Sequence, residues 1–544
     1  MKKITKIIIG IVVILLVIGV FFFYKFKSPE PYTPTTNLLN TIPVPASGIC
    51  SDGLCRQIYG DGISIIPVKK VVKYEKQYFT TNPFGTTLTF NNGEKFIELG
   101  ADLRVHYWHK LLKMSIIPEF DKSILKNSGD TVFTFDLVTP LEEGYSTWCF
   151  IKENEISEWS SMISKIVERY DGDANYGCSI NNGVDCYSQN DMLYPSSSVR
   201  ARINSNPIKY WQIGNEPLAF KNCESTPRKI TLEEFIEVYE IAYSLIKNAD
   251  STAKIIAPAI SAPDMRIFDG YYDNPAIVNW EIDCKYKETN VETLFSNKGD
   301  KETSWAYDFI TRFLLTEKDK YDIVDFHSYL TDIYERPYFL QWVNDYLQYS
   351  GIAGKKIWST ENAAPYYYFP LMGLQKPSCS QAPSAGEGRD FKQPYDKVIH
   401  SEYIVKNVII QLATGLEKMY YFSLISITWE TDNTARFGLI EVDNVPKPAY
   451  YTYKLMIQKL KTMKSLEKID DYIYKAELDD GKIVVVAWSD AGKTINLLDI
   501  FSGDVKITHI ITETGKTDLD ALIETKSANS IPLTKTPIFI EAAK

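Results

Sequence analysis

Two short stretches hold the side chains best suited to chemistry. YWQIGNEP at 210–217 sets Asn215 and Glu216 directly after an apolar, aromatic run, and IWSTENAAP at 357–365 does the same with Glu361. A carboxylate at the end of a buried strand is costly unless it is paired or put to use. Two carboxylates facing each other across a cleft are what cleavage of a glycosidic bond requires. One donates a proton to the leaving oxygen; the other attacks the anomeric carbon or activates a water. Each stretch alone also has a plainer reading, as a polar cap on a strand-to-helix turn or as a loop ion pair, and Glu430 and Asp432 are rival carboxylates.

The elements that must position such a pair can be read from periodicity. Between about Tyr74 and Pro448 one rhythm repeats: a short apolar segment, a polar loop, a longer helical pattern. The candidate strands are GTTLTF (85–90), ADLRVHY (101–107), TVFTFDLV (131–138), IKYWQIG (208–214), AKIIAPAI (253–260), YDIVDFHSY (321–329), KIWSTE (356–361) and MYYFSLI (419–425). Helical patterns run over 155–170, 231–249 and 401–415, the last with an apolar face of Ile404, Val405, Val408, Ile409 and Leu412. Eight strands alternating with helices predict an α/β fold, a (β/α)8 TIM barrel with loop insertions. An open nucleotide-binding sheet has little support, because no glycine-rich phosphate loop follows the first strand. In the barrel, Glu216 ends the fourth strand and Glu361 the seventh, so both reach the same mouth.

The flanks differ from this body. Residues 460–544 carry short β patterns divided by DDG, DAG and ETG turns and predict a small all-β, sandwich-like domain that covers one flank of the barrel. At the other end, 18 uncharged residues from Ile7 to Tyr24 follow Lys2, Lys3 and Lys6. A helix of that length is about 27 Å long, close to the hydrocarbon core of a bilayer. Residues 1–28 are therefore expected to be a retained N-terminal transmembrane signal anchor, with the body outside the membrane. Residues 29–73 form a Pro/Thr-rich spacer and lead-in, and 74–459 the barrel. Of the eight cysteines, Cys178 and Cys186, and Cys50 and Cys55, lie at short spacings in loop-like surroundings, as expected for extracytoplasmic disulfides. A net charge of −10 gives no general attraction for nucleic acid, and five histidines without an HxH or HExxH pattern give no basis for a metal-dependent hydrolase. Neither a metal nor an organic cofactor is expected. Oligomeric state is not legible.

IGNEP at 213–217, STEN at 359–362, DFHSY at 325–329 and FGLIEVDNVPKPAYY at 437–451 resemble the superfamily (clan A) of retaining glycoside hydrolases whose barrel carries its two glutamates on strands four and seven. The ERYDGD segment at 168–173 and the trailing β domain look most like the β-xylosidase and α-iduronidase family (family 39). The resemblance implies an oligo- or polysaccharide substrate with β-type linkages, with Glu216 as acid/base, Glu361 as nucleophile and Asn215 bonded to the sugar 2-hydroxyl. It further implies that Arg104 supports the nucleophile, that His327 and Tyr329 lie near it on strand six, and that Trp429 forms an aromatic floor. An apolar wall such as Trp211, with repulsion from the second carboxylate, would hold the proton on Glu216, while Arg104 and Tyr329 would favour an ionised Glu361. A silent sugar-binding barrel and a transglycosidase using the same pair are the competing readings.

Overall fold

The computed structural model describes residues 57–59, 62–64, 74–88, 93–107, 121, 129–137, 149–173, 195–223, 228–259, 309–310, 312–327, 336–349, 351–363, 397–426 and 438–543. The run 7–24, the cysteine pairs Cys50/Cys55 and Cys178/Cys186, and Tyr329, Trp429, Glu430 and Asp432 lie outside the described residues. Among the described residues, no helix is long and apolar enough to cross a membrane.

Eight strands close into a parallel barrel in chain order: β1 (Phe84–Leu88), β2 (Asp102–Tyr107), β3 (Thr131–Phe135), β4 (Tyr210–Ile213), β5 (Lys254–Ile256), β6 (Ile323–His327), β7 (Lys356–Asn362) and β8 (Lys418–Tyr421), with β8 pairing back onto β1. All eight expected strands are present. The fifth is shorter than its apolar pattern because Pro258 has no N–H to offer a ladder. Around the barrel pack α1 (Gly93–Leu99), α2 (Ile156–Tyr170), α3 (Ser197–Ser205), α4 (Leu232–Ala249), α5 (Arg336–Tyr349), α6 (Lys397–Leu412) and α7 (Pro448–Leu460). Helix α4 starts where its sequence says it should. The Thr231 hydroxyl accepts from Glu234 N at 3.2 Å, and Glu234 Oε2 accepts from Thr231 N at 2.8 Å, a reciprocal cap.

Alternation along the strands separates two cores. Val132, Ile256, Ile323, Trp358 and Tyr420 fill the barrel interior with Tyr210 against them. Residues of opposite parity face the helices. Trp211 belongs to that second set: fully buried, it stacks on Phe135 at 5.7 Å and packs on Phe133 at 5.6 Å. The expectation that Trp211 walls the proton of Glu216 is therefore wrong, since strand parity turns its indole away from the mouth. At the foot of the barrel the buried Lys418 ion-pairs with Asp102 and Asp130 and lies over the Trp358 ring at 5.1 Å.

The C-terminal strands β9 (Met463–Asp470), β10 (Ile473–Leu478), β11 (Ile483–Ala487), β12 (Asp504–His509), β13 (Ile523–Ser527) and β14 (Ile538–Ala542) form an antiparallel sheet ordered β13-β12-β14-β11-β10-β9. A seventh strand, Gln77–Tyr78, comes from just before the barrel and pairs with β9, so the sheet reaches beyond 460–544. Val484 and Val486 pack with the barrel's helical layer, while Val485 and Ala487 face a separate small core. Polar ties to the barrel include Lys406 to Asp490 at 2.9 Å and the Thr452 hydroxyl to Ile511 O at 2.7 Å. Trp488 is core: it is fully buried between Tyr472 and Tyr474.

Candidate active site

Strand β4 ends in Gly214, Asn215 and Glu216, and the chain there turns sharply. Gly214 has φ +85°, and a Cβ on it would lie 3.2 Å from the Phe235 ring. Glu216 adopts φ 50°, ψ 58°, a left-handed conformation that costs a non-glycine residue about 1 kcal/mol or more. The turn continues into a short 3-10 helix, Pro217–Ala219, with Glu216 O accepting from Ala219 N at 2.9 Å. Strain at this position marks a side chain held where the local backbone would not choose to put it. A disulfide ties down the segment that follows this turn: Cys149, in the connection from β3 to α2, is bonded to Cys223, with Cα atoms 5.5 Å apart.

On β7 the relevant feature is a bulge. Asp325 pairs with Trp358, yet His327 pairs with Glu361, so three steps on β7 match two on β6. Strict alternation from Trp358 and Thr360 would send Glu361 toward the helices. Instead Thr360 and Glu361 both face the interior. Asn362 takes the outward position, bonded to Arg336 at 2.7 Å and to Gln411 at 3.1 Å.

Arg104 of β2 sits at the centre, with no exposed surface. Its five N–H groups all have acceptors: Nε donates to Thr134 Oγ1 (3.1 Å), Nη1 to Glu361 Oε1 (2.6 Å) and Thr360 O (3.1 Å), Nη2 to Gln212 Oε1 (2.8 Å) and Asn215 Oδ1 (3.0 Å). The fork thus orients two of the sequence-predicted residues at once. Asn215, 3% exposed, has its amide oxygen committed to Arg104 and so has N–H donors left to offer.

His327 of β6 faces the interior and bridges the two glutamates. Its Nδ1 lies 2.8 Å from Glu216 Oε1 and 3.6 Å from Glu361 Oε2. Behind the ring, Asp325 accepts from Thr360 N at 2.8 Å, from the Thr360 hydroxyl at 2.6 Å and from Gln212 Nε2. With its proton committed to Asp325, the Thr360 hydroxyl accepts from His327 Nε2–H at 3.1 Å. That network assigns the tautomer and leaves Nδ1, toward Glu216, as the position where a proton is gained or lost. Burial alone would lower the His327 pKa. The charge of Glu361, the hydrogen bond and charge of Glu216, and Asp325 together outweigh it and raise the imidazole above its ordinary 6.5.

One oxygen of Glu216, one of Glu361 and one His327 nitrogen all lie within 4.8 Å of one another. The three could converge on a cation, but the Arg104 guanidinium already supplies the positive charge at Glu361. Of the expected site residues, Asn215, Glu216, Arg104, His327 and Glu361 are brought together; Tyr329 and Trp429 are outside the described residues. Sequence reasoning missed Thr134, Gln212, Asp325 and Thr360, the polar layer beneath the pair. Their signal was weak but present: each is a polar residue inside an otherwise apolar strand and shares parity with an inward-facing neighbour.

No protein-family model matches the chain, and no curated protein matches it in sequence. Solved structures do. A glucosidase from Croceicoccus marinus aligns over 86% of this chain and 97% of its own with a TM-score of 0.50 at 10% identity. A GH39 β-xylosidase from Caulobacter crescentus aligns over 86% and 98%, TM-score 0.48, at 14% identity. A GH51 arabinofuranosidase from Xanthomonas axonopodis pv. citri aligns over 86% and 97%, TM-score 0.46, at 10% identity. At such identities the likeness is one of fold. The chain is built on a closed eight-stranded parallel barrel followed by a β domain, and its fold is similar to that of the glucosidase.

Proposed function

We propose that the chain is a glycoside hydrolase acting with retention of anomeric configuration, with Glu361 as nucleophile and Glu216 as acid/base. The observation that carries this reading is the spacing of the pair, with oxygens of the two carboxylates within 4.8 Å. Retaining pairs stand about 5–5.5 Å apart, whereas inverting pairs need about 6.5–9.5 Å to admit a water. In the first step Glu361 attacks the anomeric carbon as the proton on Glu216 passes to the departing oxygen, leaving a glycosyl ester. A water then gives its proton to Glu216 and attacks the same carbon, releasing Glu361. Arg104 donates to one Glu361 oxygen and so orients the carboxylate for attack. Asn215, oriented by Arg104, is suited to donate to the sugar 2-hydroxyl. The substrate class is a β-linked glycan; the neighbours' names differ in their sugar, and none is carried over. No metal or organic cofactor takes part in these steps.

Proton NMR of the first product on an aryl β-glycoside tests the reading. The retained anomer is expected, with turnover lost in Glu361→Ala. Glu216→Ala should still act on substrates with good leaving groups, and added azide should yield a glycosyl azide. An inverted anomer would discard the assignment. Absence of turnover across a broad panel, with binding kept, would favour a silent sugar-binding barrel. The same reading has the barrel outside the cell, tethered through the apolar run at 7–24 and the spacer at 29–73. Protease added to intact cells should then release a fragment holding the barrel, and protection until lysis would refute the topology.

A further inference from the structure

Glu168, Asp171 and Asp173 lie where helix α2 ends, and together they carry a second arrangement of charge. One carboxylate oxygen from each falls within 4.8 Å of the others. Glu168 is only 3% exposed, and its Oε2 is buried without a hydrogen-bond partner among the described residues; Asp171 Oδ2 is in the same condition. Neither residue has a lysine or arginine partner among the described residues, and the neighbouring Arg169 is engaged with Asp121 at 2.7 Å. Leaving buried carboxylate oxygens unsatisfied is expensive. The location makes it worse, because the last turn of a helix is the negative pole of its dipole and favours cations over acids.

The turn that gathers these groups is fixed on both sides. Asp171 Oδ1 accepts from Asp173 N at 3.0 Å, which holds the Asp171 carboxylate within the turn. Gly172 has φ +88°, and its Cα packs so closely on Pro207 that a Cβ would lie 2.9 Å away. Tyr170 O accepts from Ile208 N at 2.9 Å, tying the turn to the residues that lead into β4.

We propose that Glu168, Asp171 and Asp173 bind a divalent, oxygen-preferring cation of the calcium type. Every side-chain donor among the described residues is a hard carboxylate oxygen, with no imidazole or thiolate among them to select zinc. Three carboxylates leave room for waters or backbone carbonyls to complete the six to eight oxygens that calcium takes, whereas magnesium demands stricter octahedral geometry. The bound ion sits among the three carboxylates, offsets their mutual repulsion and braces the turn that ends α2. It lies at the foot of the barrel, away from the mouth, and so stabilises the fold without entering the reaction.

The full chain, stripped with chelator and dialysed, should bind calcium in a calorimetric titration at one site. Its unfolding midpoint should rise by about 3 °C or more at 1 mM calcium, and by less at equal magnesium. Glu168→Gln should abolish the calcium-dependent shift. Should that variant not fold, Asp171→Asn and the exposed Asp173→Asn carry the test, each weakening binding at least about tenfold. Terbium should bind with the same dependence and luminesce through nearby tyrosines. Turnover well below the midpoint should be the same with and without chelator, which separates this site from the catalytic assignment. A wild-type midpoint indifferent to calcium, or a shift that survives in the variants, would overturn the proposal.

Discussion

Replacing Arg104 by methionine tests most directly how the site is held. The guanidinium has no exposed surface and makes five hydrogen bonds, one of them the 2.6 Å ion pair with Glu361. Methionine fills much of the volume but leaves Glu361, itself only 6% exposed, as a buried charge without its cation. Breaking one side of a buried pair in this way costs about 3–5 kcal/mol. Gln212 Oε1 keeps the Thr134 hydroxyl at 2.8 Å, and Thr360 O keeps the Thr87 hydroxyl at 3.4 Å, so the loss centres on Glu361 and on the amide of Asn215. Most of the cost is therefore electrostatic and should vanish when the charge is removed first. In a Glu361→Gln background, Arg104→Met should cost at least about 1.5 kcal/mol less than in the wild type, measured by urea unfolding at pH 7 in a double-mutant cycle. The single variant should also lose activity, and the acidic limb of kcat/KM should move to higher pH as the nucleophile loses the charge that favours its ionised form. Additive stability effects within about 0.5 kcal/mol, or an unmoved acidic limb, would refute the role given to Arg104.

His327→Gln removes an imidazole whose pKa is raised in the fold above 6.5, so its contribution to stability is full below about pH 6.5 and is lost as pH rises through the folded value. The stability gap between wild type and this variant should accordingly be larger at pH 6 than at pH 9; a gap that does not change with pH would contradict the bridging of Glu216 and Glu361. Cys149 and Cys223, separated by 74 residues, should resist alkylation until reductant is added. Their cross-link should contribute about 4 kcal/mol by closing a loop of that length, and labelling of both thiols without reductant would rule it out.

The alternation of apolar and polar residues is a local property, and it made the eight barrel strands, the main helices and the trailing β domain legible from the sequence. Glu216, Glu361, Arg104 and His327 could be singled out because each stands in or at the end of such a strand. What alternation cannot express is a break in its own period. The bulge on β7 turns Glu361 inward where parity would have sent it out, and it depends on the pairing of β7 with β6 and β8. Trp211 is the converse case: its closeness to Glu216 in sequence suggested a wall, but one step of parity sends it to the helical layer. Thr134, Gln212, Asp325 and Thr360 come from four strands, and only closure of the barrel makes them one hydrogen-bonded layer. The Cys149–Cys223 bond and the recruitment of Gln77–Tyr78 into the C-terminal sheet likewise join segments far apart along the chain. Local pattern sets which way each strand faces; which residues meet is decided by the register and closure of the whole sheet, and those are properties of the tertiary structure alone.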